Sequence, residues 1–115
     1  MQDHVLHGKQ RDAAVAAHEA LIELMSERRG RGLDLPALLE FRHLSRVCAF
    51  RCGTVQCAER TIELEQRAGE LHAATATGAG EQIALLERCI ARLLGQAEAW
   101  LARPASAPFS PLLRA

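Results

Sequence analysis

At 115 residues the chain holds one domain and not comfortably two. Residues of the hydrophobic class make up 49% of it, yet it has three Phe, one Trp and no Tyr, so helix-favouring Ala, Leu, Glu, Arg and Gln dominate and strand formers are scarce. Lys+Arg and Asp+Glu balance at 14 each, without the basic excess typical of a nucleic-acid binder, and no stretch approaches the ~20 apolar residues of a membrane span.

The first nine residues are weakly patterned and read as a flexible N-terminus, with Gly8 interrupting any early helix. They carry no apolar run, so no secretory signal is expected and the chain reads as cytoplasmic. Helical periodicity firms up from Gln10. Val15, His18, Ile22 and Met25 fall on one face, flanked by Ala14, Leu21 and Leu24. Arg28 and Arg29 suit the dipole of the last turn, and Gly30 and Gly32 end the helix.

A second start follows at once. Asp34 can cap the free amides of a new helix. Leu33 and Leu38 have the spacing of a hydrophobic staple, and Pro36 is tolerated in a first turn. No Pro or polar loop then appears between Ala37 and Ala74. The stripe Phe41, Leu44, Cys48, Cys52, Val55, Ile62 runs through Gly53, and one glycine costs only about 1 kcal/mol in a helix interior. A single helix of some 40 residues, roughly 60 Å long, is therefore expected. The alternative is a break at Gly53, giving a four-helix up-down bundle.

Thr75 to Gly80 is a turn rich in Gly and Thr. A last helix opens at Glu81 and runs to about Ala102. Ile83, Leu86, Ile90, Leu93, Ala97 and Trp100 form its stripe, widened by Leu85, Cys89, Leu94 and Leu101. Residues 103–115 form a proline-containing tail expected to be mobile, with 10–102 as the helical domain. Phe109, Leu112 and Leu113 make the tail a candidate docking segment, for its own bundle before another protein.

The fold class is all-α: three helices in antiparallel hairpins about a long central one, or four helices if the chain breaks. An unbroken central helix would leave its apolar faces half covered, because the first and last helices fold over different halves of it. That predicts a homodimer and an interaction face comprising Phe41, Leu44, Cys48, Val55, Ile62, Ile90, Leu93 and Trp100.

Little points to chemistry. The chain lacks a GxSxG elbow, a P-loop, an HExxH pair and a dinucleotide fingerprint. Glu59, Glu63, Glu70 and Glu87 form no ExxH motif. No enzyme and no cofactor are expected. Four cysteines invite zinc, but along one helix Cys57 points away from Cys48, and Cys89 lies too far off. The pair Cys48 and Cys52, met across a dimer, is the one metal or redox geometry left, and buried seam residues are the plainer reading. In the HxxH pair His4 and His7, adventitious metal contact is the most to expect. His18 reads as a packed residue on the core stripe, and His43 and His72 as surface residues. Arg28, Arg29 and Arg31 form a basic corner, more simply a solvated turn than a nucleic-acid contact. The functional expectation is thus a protein–protein interaction module: an adaptor, chaperone or regulatory subunit that pairs with itself and with another protein.

Overall fold

The computed structural model describes residues 2–52 and 55–101, and the side chains of residues 12–51 and 55–97. They form four helices: α1 (Gln2–Glu27), α2 (Leu35–Cys52), α3 (Val55–Thr77) and α4 (Gly80–Leu101). No strand occurs among the described residues. Each helix packs on the next, and α4 closes against α1 along the sparsest of the four seams. This is an up-and-down four-helix bundle.

The long central helix is not formed. As one helix, residues 35–77 would span about 60 Å. The described residues extend 51 Å in their longest dimension. Instead α3 folds back along α2. Thr61 Oγ1 donates to the Ser45 carbonyl at 3.3 Å. Further along the hairpin, Arg46 meets Glu65 through two 2.9 Å hydrogen bonds.

The stripe that suggested continuity changes side at the break. Phe41 is fully buried on α2 and Leu44 packs against the core. Val55 and Ile62, their expected continuation, are both 70% exposed. The buried residues of α3 are Cys57, Leu64, Ala68, Leu71 and Ala74. Counted along an unbroken helix at 100° per residue, most of these lie roughly opposite Phe41. A straight helix could not bury both sets against one core, so two helices do.

Helix α1 also differs from expectation. It begins at Gln2 rather than Gln10 and passes through Gly8. Its buried face is Ala14, Ala17, His18, Leu21 and Leu24, while Ile22 turns outward at 39% exposed. The face has rotated toward its small residues. Alanines let α2 and α4 approach closely, whereas Val15 and Ile22 would hold them apart. On α4 the expected stripe holds: Ile83, Leu86, Ile90, Leu93 and Ala97 are buried, joined by Leu94, whereas Leu85 is half exposed.

The loops are built as their residues suggest. Asp34 Oδ1 accepts the Ala37 N–H at 3.0 Å, capping α2. Leu33 and Leu38 are both buried in one apolar cluster. At the α3 terminus Ala79 N–H donates to the Ala74 carbonyl at 3.1 Å and Gly78 N–H to the Thr75 carbonyl at 3.2 Å. That double bond pattern is a Schellman cap, with Gly78 at φ 69°.

Leu21, Leu24, Leu33, Leu38, Phe41, Leu64, Leu71, Leu86 and Ile90 fill one apolar cluster, which runs to the end holding the α1–α2 and α3–α4 loops. Toward the other end, where α2 stops and α3 starts, the buried residues outside that cluster among the described side chains are Ala14, Ala17, His18, Ser45, Cys57 and Ala97. This end is called the tip below.

Candidate functional site

Three features carry chemistry or contact potential: a clasp on the α1–α2 loop, a cavity inside the tip, and apolar side chains outside it.

The clasp is a set of polar side chains from α3 and α4 that hold the loop backbone. The Glu87 carboxylate accepts N–H groups from Gly30 and Gly32. Thr75 Oγ1 accepts the Leu33 N–H at 2.9 Å, and His72 Nδ1 donates to the Leu33 carbonyl at 2.9 Å. A carbonyl can only accept, so the His72 proton sits on Nδ1. His72 is therefore a loop anchor and not the free surface residue expected. The basic corner is partly spent here too. Arg28 Nε donates to the Gly32 carbonyl at 2.8 Å and its guanidinium pairs with Asp34 at 3.3 Å. Arg31 bonds the Glu27 carbonyl at 2.6 Å. With Glu87 set among them, these arginines do not present a bare cationic surface.

The cavity measures about 20 Å³, room for one water-sized molecule. Its polar lining comes from His18 on α1, Ser45 and Cys48 on α2, and Cys57, Arg60 and Thr61 on α3. Cys48 and Cys57 were expected to point apart, as they would along one helix. The fold at the break brings both to this cavity. Cys57 is disulfide-bonded, while Cys48 and Cys89 are free thiols. Burial pushes the Cys48 thiol above its ordinary value of 9.0. It is thus protonated at neutral pH, the reverse of an activated nucleophile. Cys89 lies near Arg67, away from the cavity lining. No group of three or more His, Cys, Asp or Glu able to hold a metal is found among the described residues. The Cys52 side chain, half of the expected cross-dimer pair, is outside them, as are those of His4 and His7.

The expected interaction face divides in two. Phe41, Ile90 and Leu93 are core residues of the single chain, at 0, 0 and 7% exposed. Leu44 and Cys48 are partly covered. Val55 and Ile62 are outside, and Phe50, absent from the expected face, is the most exposed large apolar side chain described, at 78%. Its only described ring partner is the Arg51 guanidinium, 5.6 Å from the ring centroid. Leu35 and Leu39 add two more exposed apolar groups on α2, each 55%. The signal for Phe50 was present in sequence: it lies 11 and 15 residues beyond Leu39 and Leu35, on the same helical face. The Trp100 side chain and the tail with Phe109, Leu112 and Leu113 lie outside the described residues.

No helix among the described residues is long and apolar enough to cross a membrane. Compared with protein-family models, curated proteins and solved structures, the chain matches none.

Proposed function

We propose that this chain is a cytoplasmic protein–protein interaction module, not an enzyme, and that it pairs with a second copy of itself through the outer faces of α2 and α3. The observation that carries this reading is the trio Phe50, Val55 and Ile62, each 70% exposed or more, on two adjacent helices. Large apolar side chains left exposed on a small bundle favour association over solvation. A bundle of this size also buries a modest core, so added contact is worth gaining.

The reason for pairing has changed from the one read in the sequence. No half-covered long helix requires a partner, because α2 and α3 cover each other. What supports pairing is the exposure of these apolar side chains together with a formal charge of zero. Two copies approach without net repulsion.

Light scattering across a micromolar concentration series tests the reading. A dimer mass is expected, falling to a monomer mass in the double variant Phe50→Glu, Ile62→Glu with an unchanged helical spectrum. A monomer at every concentration, or a dimer indifferent to both substitutions, overturns it.

A further inference from the structure

The seam between α2 and α3 carries two rows of side chains that differ in size. On α2, Leu35, Leu39, Arg46 and Phe50 recur at helical spacing and share one face. Arg46 is bonded to Glu65, so this face lies along α3. On α3, Ala58, Ile62, Gly69 and Ala73 share the face that Glu65 marks. The hydrogen bonds Leu33–Thr75 and Thr61–Ser45 set the register of the antiparallel pair. Leu35 stands about level with Ala73, Leu39 with Gly69, Arg46 with Ile62 and Phe50 with Ala58. Leu35, Leu39 and Phe50 are exposed, as are Ala58 and Ala73. The α2 row is thus large, and the α3 row is small except for Ile62.

Gly69 has no use within the chain. It lies inside α3 without a positive φ, where glycine costs about 1 kcal/mol relative to alanine. Among the described residues, a Cβ there would meet only the Arg42 guanidinium, at 3.8 Å, an ordinary contact. The missing side chain leaves a gap that opens on the seam.

We propose, resting on the pairing reading above, that two copies pack seam to seam about a two-fold axis parallel to the helices, so that the large row of each α2 enters the small row of the other chain's α3. Leu39 fills the gap at Gly69 of the second copy, Leu35 the space over Ala73 and Phe50 that over Ala58. The methylenes of Arg46 cover Ile62. Its guanidinium, on a side chain 68% exposed in the single chain, reaches a second Glu65. Charge selects this orientation. A two-fold running across the seam would lay α2 on α2 and α3 on α3, setting Arg42 and Arg46 against their own copies and Glu65 against Glu65. The axis along the helices instead alternates Arg46 and Glu65 around itself.

Mixed single-cysteine chains, oxidised in a Cys48→Ala, Cys89→Ala background, read the geometry. Leu35→Cys mixed with Ala73→Cys is expected to give a disulfide-linked heterodimer, whereas Leu35→Cys mixed with Phe50→Cys stays unlinked. In the otherwise native chain, Gly69→Ala is expected to weaken the dimer at least roughly tenfold, because a side chain now fills the gap. Its unfolding midpoint, taken at a concentration where the chain is monomeric, should not fall, which separates loss of docking from loss of fold. A wild-type chain that stays monomeric overturns the pairing reading and this geometry with it. A wild-type dimer that links Leu35→Cys to Phe50→Cys and not to Ala73→Cys, or that tolerates Gly69→Ala without loss of affinity, overturns this geometry alone.

Discussion

Glu87 accepts the backbone N–H of Gly30 through both carboxylate oxygens, at 2.9 and 3.0 Å, although 57 residues separate the two in sequence. The same carboxylate takes the Gly32 N–H at 3.2 Å. A side chain of α4 thereby fixes the loop between α1 and α2, and with it the end of the α1/α4 seam that is otherwise the sparsest in the bundle. Hydrogen bonds to a charged group contribute about 1.5–3 kcal/mol. Glu87→Ala is expected to lower unfolding stability by about 1–3 kcal/mol, read by urea denaturation. Glu87→Gln keeps one acceptor oxygen and should lose less. An Ala variant as stable as wild type would show that water replaces the carboxylate without loss.

The two glycines of this loop are not equivalent, and alanine separates them. Both have positive φ, 81° at Gly30 and 73° at Gly32. A Cβ at Gly30 meets open space, so Gly30→Ala carries only the left-handed backbone cost of about 1–2 kcal/mol. A Cβ at Gly32 would strike the Thr75 hydroxyl, which is already bonded to Leu33 N–H and to the Leu71 carbonyl. Gly32→Ala is expected to cost about 2–4 kcal/mol, combining backbone strain and overpacking. Equal thermal denaturation midpoints for the two variants would contradict this arrangement.

Leu71 and Ile62 distinguish the folded-back hairpin from a continuous helix. Leu71 is fully buried and Ile62 is 70% exposed. Leu71→Ala should cost about 2–5 kcal/mol. Ile62→Ala, measured at low concentration so that self-association does not contribute, should stay within about 0.5 kcal/mol of wild type. A continuous helix with its stripe through Val55 and Ile62 would bury Ile62 and rank the two substitutions the other way.

Local signals in the sequence were legible because their physics is local. Asp34 needs only the next turn to cap, Leu33 and Leu38 need only staple spacing, and the α4 stripe repeats cleanly from Ile83 to Ala97. The break near Gly53 was legible only as an alternative. A glycine is too weak a helix breaker to decide the matter, and the deciding fact is non-local: Leu64, Ala68 and Leu71 form a second stripe, out of phase with Phe41 and Ile62. Read against each other, the two stripes could have told a hairpin from a rod. The rotation of α1 toward Ala14 and Ala17 was hidden because hydropathy favours Val15 and Ile22, while close helix approach favours alanine. Glu87 sits at i+4 from Ile83 and i−3 from Ile90, on an apolar face. A carboxylate there asks for a partner, but nothing within α4 names a loop 55 residues away. The shared cavity of Cys48 and Cys57 was illegible for the same reason: it exists only once the chain has turned back.

The raised titration of Cys48 makes stability fall at alkaline pH. In the unfolded chain the thiol loses its proton around its ordinary value of 9.0; in the bundle, burial holds the proton to higher pH. Between those two points the folded state binds more protons than the unfolded state, so stability decreases as pH rises. Below pH 9 the thiol is protonated in both states and contributes no slope. His18 and Arg60 also line this cavity. Urea denaturation from pH 8 to pH 10.5, without reductant so that the Cys57 disulfide stays intact, should show a steeper alkaline loss in wild type than in Cys48→Ala. The native thiol should also alkylate far more slowly at pH 8.5 than the unfolded one. Parallel stability curves, or equal alkylation rates, would mean that Cys48 is open to water in the native bundle.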